Sequence, residues 1–140
     1  MDATKQWAIT AWLRIQEPRI VSILQLIVYL AAIGAGISAV LDPPPQIQGA
    51  VGPGLTILWV AMILGGGLLG AVGVLPGIWW VERPAAILCF GATVIYGYTL
   101  IHLHAGREDP ALQILMVTIA ATYFLMRWFR IRRYAYDPEK

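Results

Sequence analysis

An all-α integral membrane protein, an antiparallel bundle of four transmembrane helices preceded by an interfacial amphipathic helix, is the fold this sequence predicts. Three observations predict it. Of 140 residues, 59% are apolar and 13% charged, and the mean hydropathy is +0.68, whereas globular domains carry roughly a quarter charged residues. The apolar residues fall into four runs, 20–41, 55–75, 85–103 and 110–126, each near the ~20 residues that cross a hydrocarbon core. Finally, Lys5, Arg14, Arg19, Arg83, Arg127, Arg130, Arg132, Arg133 and Lys140 fall on one side of alternating loops and only Arg107 on the other. That asymmetry places both termini in the cytoplasm of a cell whose cytoplasmic membrane holds the chain, and an even number of spans agrees with it.

Residues 5–17 carry a polar stripe at Gln6, Thr10, Arg14 and Glu17, with Trp7, Ala8, Ala11, Trp12 and Ile15 around the rest of the circumference. The stripe predicts an amphipathic helix lying in the interface, apolar side down, until Pro18 turns the chain into the membrane. An ordinary helix packed on the protein's own end is the alternative. The first span, 20–41, is longer than the apolar core of a cleavable leader, so it is expected to remain as a span. It carries Gln25 near one end and a small-residue face at Ala31, Ala35 and Ala39, and Asp42-Pro43-Pro44-Pro45 ends it. A loop to Gly54 leads into the second span, 55–75.

The next stretch, GGGLLGAVGVLPGIWWVERP at Gly65–Pro84, joins spans two and three. Gly66 and Gly70 are four apart, as are Gly73 and Gly77, so each pair is expected on one helix face that a neighbouring backbone can approach closely. Pro76-Gly77 breaks the helix, Trp79 and Trp80 anchor at headgroup level, and Glu82-Arg83-Pro84 opens the third span, 85–103. The fourth span starts at Pro110, a favoured first helical position, and a basic cytoplasmic tail, 127–140, follows. Trp128, Arg130, Arg132 and Arg133 make it an aromatic and basic collar with anionic lipid of the inner leaflet as its partner. Short loops imply antiparallel neighbours throughout.

Charge buried in a span marks transporters and proton relays, and the four runs contain none. Glu17, Asp42, Glu82, Arg83, Glu108 and Asp109 fall at or beyond the ends, leaving Gln25, Ser38, Thr93, Tyr96, Thr118 and Thr122 at depth. Glu82 with Arg83 reads as a loop ion pair worth under about 1 kcal/mol. His102 and His104, with Glu108 and Asp109, are the one metal-like cluster, but residues two apart do not share a helix face, so they read as interfacial polar groups. A net charge of +2 is too small and local for nucleic acid, and the lone Cys89 lies in an apolar run as a small packing residue. No nucleophile–base pair, phosphate loop or cofactor fingerprint is present, so no enzyme, cofactor or metal site is expected.

What remains is helix association. Ala31, Gly34, Ala35 and Gly36 in the first span, Gly65 to Gly73 in the second, and Gly91 and Gly97 in the third either pack this one bundle or join copies of it.

The layout of the chain resembles the small four-span membrane proteins encoded near the lysis genes of actinobacteria-infecting phages, many of them holin-like. GGGLLGAVGVLPGIWW at Gly65–Trp80, ERPA at Glu82–Ala85 and the basic tail at 127–140 carry the resemblance. It implies accumulation in the cytoplasmic membrane and oligomerisation that permeabilises or depolarises it; no catalytic or ligand residues transfer. The proline-rich loop 42–53 departs from that pattern and reads as a fixed fold. A non-catalytic membrane subunit or scaffold, serving exclusion, immunity or an envelope complex, and a small channel or transporter are the alternatives.

Overall fold

The structure, a computed structural model, describes residues 19–42, 45–103 and 111–134. Helix α1 spans Arg19–Leu41, α2 Pro45–Val74, α3 Trp79–Leu103 and α4 Ala111–Tyr134. Each contains a stretch long and apolar enough to cross a membrane, from Ile20–Leu41 through Gly52–Val74 and Trp79–His102 to Ala111–Ile131. The exterior is apolar over most of its length, with Ile27, Leu30, Ile57, Val72, Ile101 and Ile119 among many exposed aliphatic side chains. Water does not accommodate a continuous surface of that kind, and the chain has the build of a multi-pass membrane protein. The expected interfacial helix at 5–17, with Trp7 and Trp12, lies outside the described residues, as do His104, Arg107, Glu108 and Asp109 and the side chains of Arg132 and Arg133.

Contacts between neighbouring helices run in opposite order. Tyr29 of α1 meets Gly70 of α2, Ile33 meets Gly67, and Leu64 meets Gly36; Cys89 of α3 then meets Gly66, and Met62 meets Gly91. On α4, Val117 meets Gly97 and Arg127 meets Glu82. The helices are therefore antiparallel in sequence order. The start of α1, the α2–α3 turn and the end of α4 gather at one end of the bundle, which we call the turn end.

Close approach is possible because α2 presents hydrogen instead of a side chain. A methyl at Gly66 would come within 2.7 Å of Cys89 Sγ and 3.0 Å of the Ala85 carbonyl oxygen, and one at Gly70 would collide with the Tyr29 ring. Tyr29, Ala32, Val74, Ala85, Cys89 and Phe124 form the core cluster on this plan. The inward face of α1 is Ser22, Gln25, Tyr29, Ala32, Gly36 and Ala39. Ala31 and Ala35, which the sequence placed on one packing face with Ala39, are exposed. The inward stripe is set by Tyr29 and the polar groups before it, one position away from the alanine stripe.

Several boundaries also differ from expectation. The chain between Asp42 and Gly54 is largely helical: α2 starts at Pro45 and bends at Gly52 (φ 73, ψ 173), just before Pro53. Proline restricts the residue before it, and this backbone conformation is open essentially to glycine alone; Thr56 Oγ1 donates to the Gly52 carbonyl at 2.9 Å across the bend. Gly77 does not share a helix face with Gly73. It sits beyond the end of α2 at φ 69, and Ile78 N–H donates to the Gly73 carbonyl at 2.9 Å, the six-to-one bond of a glycine-terminated helix. Ile78 then caps α3, its carbonyl accepting from Val81 and Glu82 N–H at 3.1 Å each. So α3 begins at Trp79, six residues earlier than expected, and Trp79 and Trp80 stay exposed on its first turn. The fourth helix runs on to Tyr134, which turns the first part of the basic tail into helix.

Gly70→Ala is expected to lower the unfolding midpoint in detergent by the equivalent of about 1–3 kcal/mol, the usual cost of overpacking. Gly34→Ala should not lower it, since nothing lies within 4 Å of the position a methyl would take.

Candidate functional site

Polar groups converge inside the turn end of the bundle. Starting α3 at Trp79 puts Glu82 in the first turn, on the face that also carries Ala85, Ala86 and Cys89, and all four are buried. Glu82 is only 2% exposed. An ionised carboxylate there requires a cation with matched geometry, and α4 supplies it because the helix continues past Met126. Arg127 Nε donates to Glu82 Oε1 and Nη2 donates to Oε2, each at 2.7 Å. This is the bidentate, charge-assisted arrangement for which a planar guanidinium is suited.

The sequence reading of this pair needs correction. Glu82 is not a solvated loop residue paired with its neighbour Arg83, nor is Arg127 part of a tail outside the bundle. Successive residues on a helix point about a hundred degrees apart, so Glu82 and Arg83 cannot both face the core. Arg83 is half-buried on another face. An ion pair therefore lies within two apolar helices that looked free of charge.

Aromatic and amide groups surround it. The buried Tyr29 hydroxyl turns toward the Glu82 carboxylate without reaching hydrogen-bond geometry, and its ring packs on Phe124 at 6.2 Å between centroids. Gln25, one turn before Tyr29, is 5% exposed; its side chain lies against Tyr123, and among the described residues its Oε1 accepts no hydrogen bond. Gln25, Tyr123, Arg127 and Arg130 share a groove between α1 and α4. Sequence inspection missed Tyr29 and Tyr123 because tyrosines inside apolar runs look like packing residues. The available signal was the spacing Gln25–Tyr29, which stacks two polar groups on one helix face.

Toward the other end, Trp59 Nε1 donates to the Ala92 carbonyl at 2.8 Å and the Trp59 ring stacks on Tyr96 at 6.0 Å. They wall a cavity of about 270 Å³ with Ala35, Ser38 and Thr93, and Asp42 at its edge. The threonines at depth return their hydroxyls to their own helices; Thr93 donates to the Cys89 carbonyl at 2.6 Å and Thr122 to that of Thr118 at 2.8 Å. His102 is exposed with its ring 4.2 Å from Tyr98, and among the described residues no three metal-ligating side chains gather.

Of the residues singled out in the sequence, Gly66, Gly70 and Gly73 are buried against α1 or α3, and Gly91 faces the end of Met62. These are contacts within the chain. Ala31 is exposed, Ala35 is exposed at the rim of the Trp59 cavity, Arg130 is exposed on the groove between α1 and α4, and Trp128 is half-buried against Phe129.

Breaking the ion pair from either side should be costly. Glu82→Leu and Arg127→Met are each expected to destabilise the protein by about 3–5 kcal/mol, because each leaves one partner buried alone. The double variant Glu82→Leu/Arg127→Met should recover most of that loss. Unfolding midpoints of the four proteins in one detergent, read as a double-mutant cycle, check this.

Compared with protein-family models, curated proteins and solved structures, the chain matches none of them, so its function is read from the groups just described.

Proposed function

We propose that the chain works in the cytoplasmic membrane as a non-catalytic helical bundle that assembles laterally with copies of itself, in the holin-like manner the resemblance implies. The turn end faces the cytoplasm in this reading. Arg83, Arg127 and Arg130 lie there, where basic residues belong by the positive-inside rule and where anionic lipid would meet Arg130.

The observation that carries the assembly is the outward face of α1. Gly66, Gly67, Gly70 and Gly73 of α2 and Gly91 and Gly97 of α3 are taken up by contacts within the chain, whereas Ala31 and Gly34 are exposed with nothing within 4 Å of Gly34 on its side-chain side, and Ala35 and Ser38 are exposed at the rim of the Trp59 cavity. Ala31 and Ala35 are four apart, as are Gly34 and Ser38, which is the spacing that lets two helices in lipid approach closely. Of the residues to which the sequence reading gave this role, Gly66, Gly70, Gly73, Gly77, Ala31, Ala35 and Gly91, the proposal keeps Ala31 and Ala35. The second reading is a membrane subunit or scaffold with a different protein as partner. The Glu82–Arg127 pair favours it, because a bundle locked by a bidentate ion pair suits a fixed surface.

Inducible expression in bacteria with a potential-sensitive dye tests the proposal. The parent chain is expected to depolarise cells, and Gly34→Leu to abolish this while the unfolding midpoint in detergent stays unchanged. Gly70→Leu should lower activity and midpoint together. An unchanged membrane potential, with a second protein retained on mild detergent extraction, would support the scaffold reading instead.

A further inference from the structure

The groove between α1 and α4 at the turn end has a volume of about 190 Å³. Its polar wall is Gln25, Tyr123, Arg127 and Arg130, and Leu24 and Met126 flank it, both largely exposed. Glu82 engages Nε and Nη2 of Arg127 and leaves Nη1 outside the pair. Among the described residues no carboxylate pairs with Arg130. Among the described residues, one carboxylate against two guanidinium groups leaves a positive excess, facing a site walled on both sides by apolar helices. A groove of that charge calls for an anion. The Gln25 carbonyl oxygen, buried and without a donor among the described residues, adds a second feature. A ligand hydroxyl or N–H would satisfy it, and a phosphate diester by itself carries neither.

The geometry points to a binding site for one anionic phospholipid with a hydroxyl-bearing headgroup, held between α1 and α4. The phosphate lies against Arg130 and the outer nitrogen of Arg127, a headgroup hydroxyl donates to Gln25 Oε1, and the acyl chains run over Leu24 and Met126. A soluble phosphate monoester offers the arginines a phosphate of at least equal charge but gains nothing from those two apolar side chains. A choline lipid brings its own cation to the arginines and no hydroxyl to the glutamine. The inference rests on the four helices lying in a bilayer and is independent of whether the chain permeabilises it.

Native mass spectrometry of the purified chain after lipid exchange tests this with three probes: phosphatidylglycerol, phosphatidylmethanol, which has the same charge without the hydroxyl, and phosphatidylcholine. One phosphatidylglycerol per chain should be retained, ahead of phosphatidylmethanol and far ahead of phosphatidylcholine. Arg130→Gln, at an exposed position that leaves folding intact, should weaken phosphatidylglycerol roughly tenfold, as expected for one lost charge-assisted contact. Gln25→Leu should erase the difference between the two anionic lipids while both remain ahead of phosphatidylcholine. If that variant does not fold, Arg130→Gln decides alone. Equal retention of phosphatidylcholine, an unchanged affinity in Arg130→Gln, or displacement of the lipid by glycerol 3-phosphate at matched concentration would overturn the assignment.

Discussion

A carboxylate enclosed by helices is tolerated only when a cation is held against it in a fixed geometry, and in this chain that requirement determines where α4 lies. Of the four candidate spans, the one in α4 is the least enclosed, 6% against 22–33% for the others. Its first turns expose Leu112, Leu115, Met116 and Ile119. Among the contacts that hold it are Val117 on Gly97, Phe124 on Tyr29 and Arg127 on Glu82. The Val117 and Phe124 contacts are dispersion contacts worth small increments per atom pair, and apolar side chains in a bilayer have no hydrophobic reason to leave lipid for protein. The ion pair differs in kind, because separating its members strands a buried charge. Arg127 accordingly works as a latch that fixes the end of α4 over the start of α3.

The other three helices are joined by an opposite device. Where α2 meets α1 and α3, the interface depends on the absence of side chains at Gly66, Gly67 and Gly70, which lets Tyr29 and Cys89 close over the α2 backbone. Tyr29 links the two devices. Its ring fills the space at Gly70 and packs on Phe124 of α4, while its hydroxyl turns toward Glu82. The turn at Pro76-Gly77 brings the end of α2 and the start of α3 together tightly enough for the Glu82 backbone N–H to lie 3.2 Å from the position a methyl on Gly73 would occupy. Small residues and the charge pair are thus parts of one construction at the turn end of the bundle.

Much of this architecture was legible in the sequence. Four runs of about the right length, short connections and closely spaced glycines in the second run follow from composition and periodicity, and they correspond to the four helices and to the contacts of Gly66 and Gly70. What escaped notice depends on contacts between distant residues or on helix phase. Glu82 and Arg127 are 45 residues apart, and adjacency made Arg83 the natural partner for Glu82. Only knowing that α3 begins at Trp79 and that α4 continues past Met126 brings the true pair into register. The inward face of α1 was misjudged for a related reason. Ala31 and Ala35 look like an interface because small residues favour close packing, but phase is set by Gln25 and Tyr29, whose polar groups have to be drawn inward. The helical segment before Gly52 was read as loop because prolines dominate it, although proline is well tolerated at the start of a helix.

A latch of this kind separates the interior of the bundle from the surfaces that we propose for partners, the outward face of α1 and the groove beside Arg130. That separation exists only if Glu82 and Arg127 are bound to each other while the chain sits in a bilayer. Solid-state NMR on protein labelled with ¹³C at the Glu82 carboxyl carbon and ¹⁵N in the Arg127 guanidinium, reconstituted in lipid, measures this directly. The expected result is an ionised carboxylate with strong carbon–nitrogen dephasing from the two hydrogen-bonded nitrogens. A protonated carboxyl with dephasing no greater than in an Arg127→Met control would contradict it.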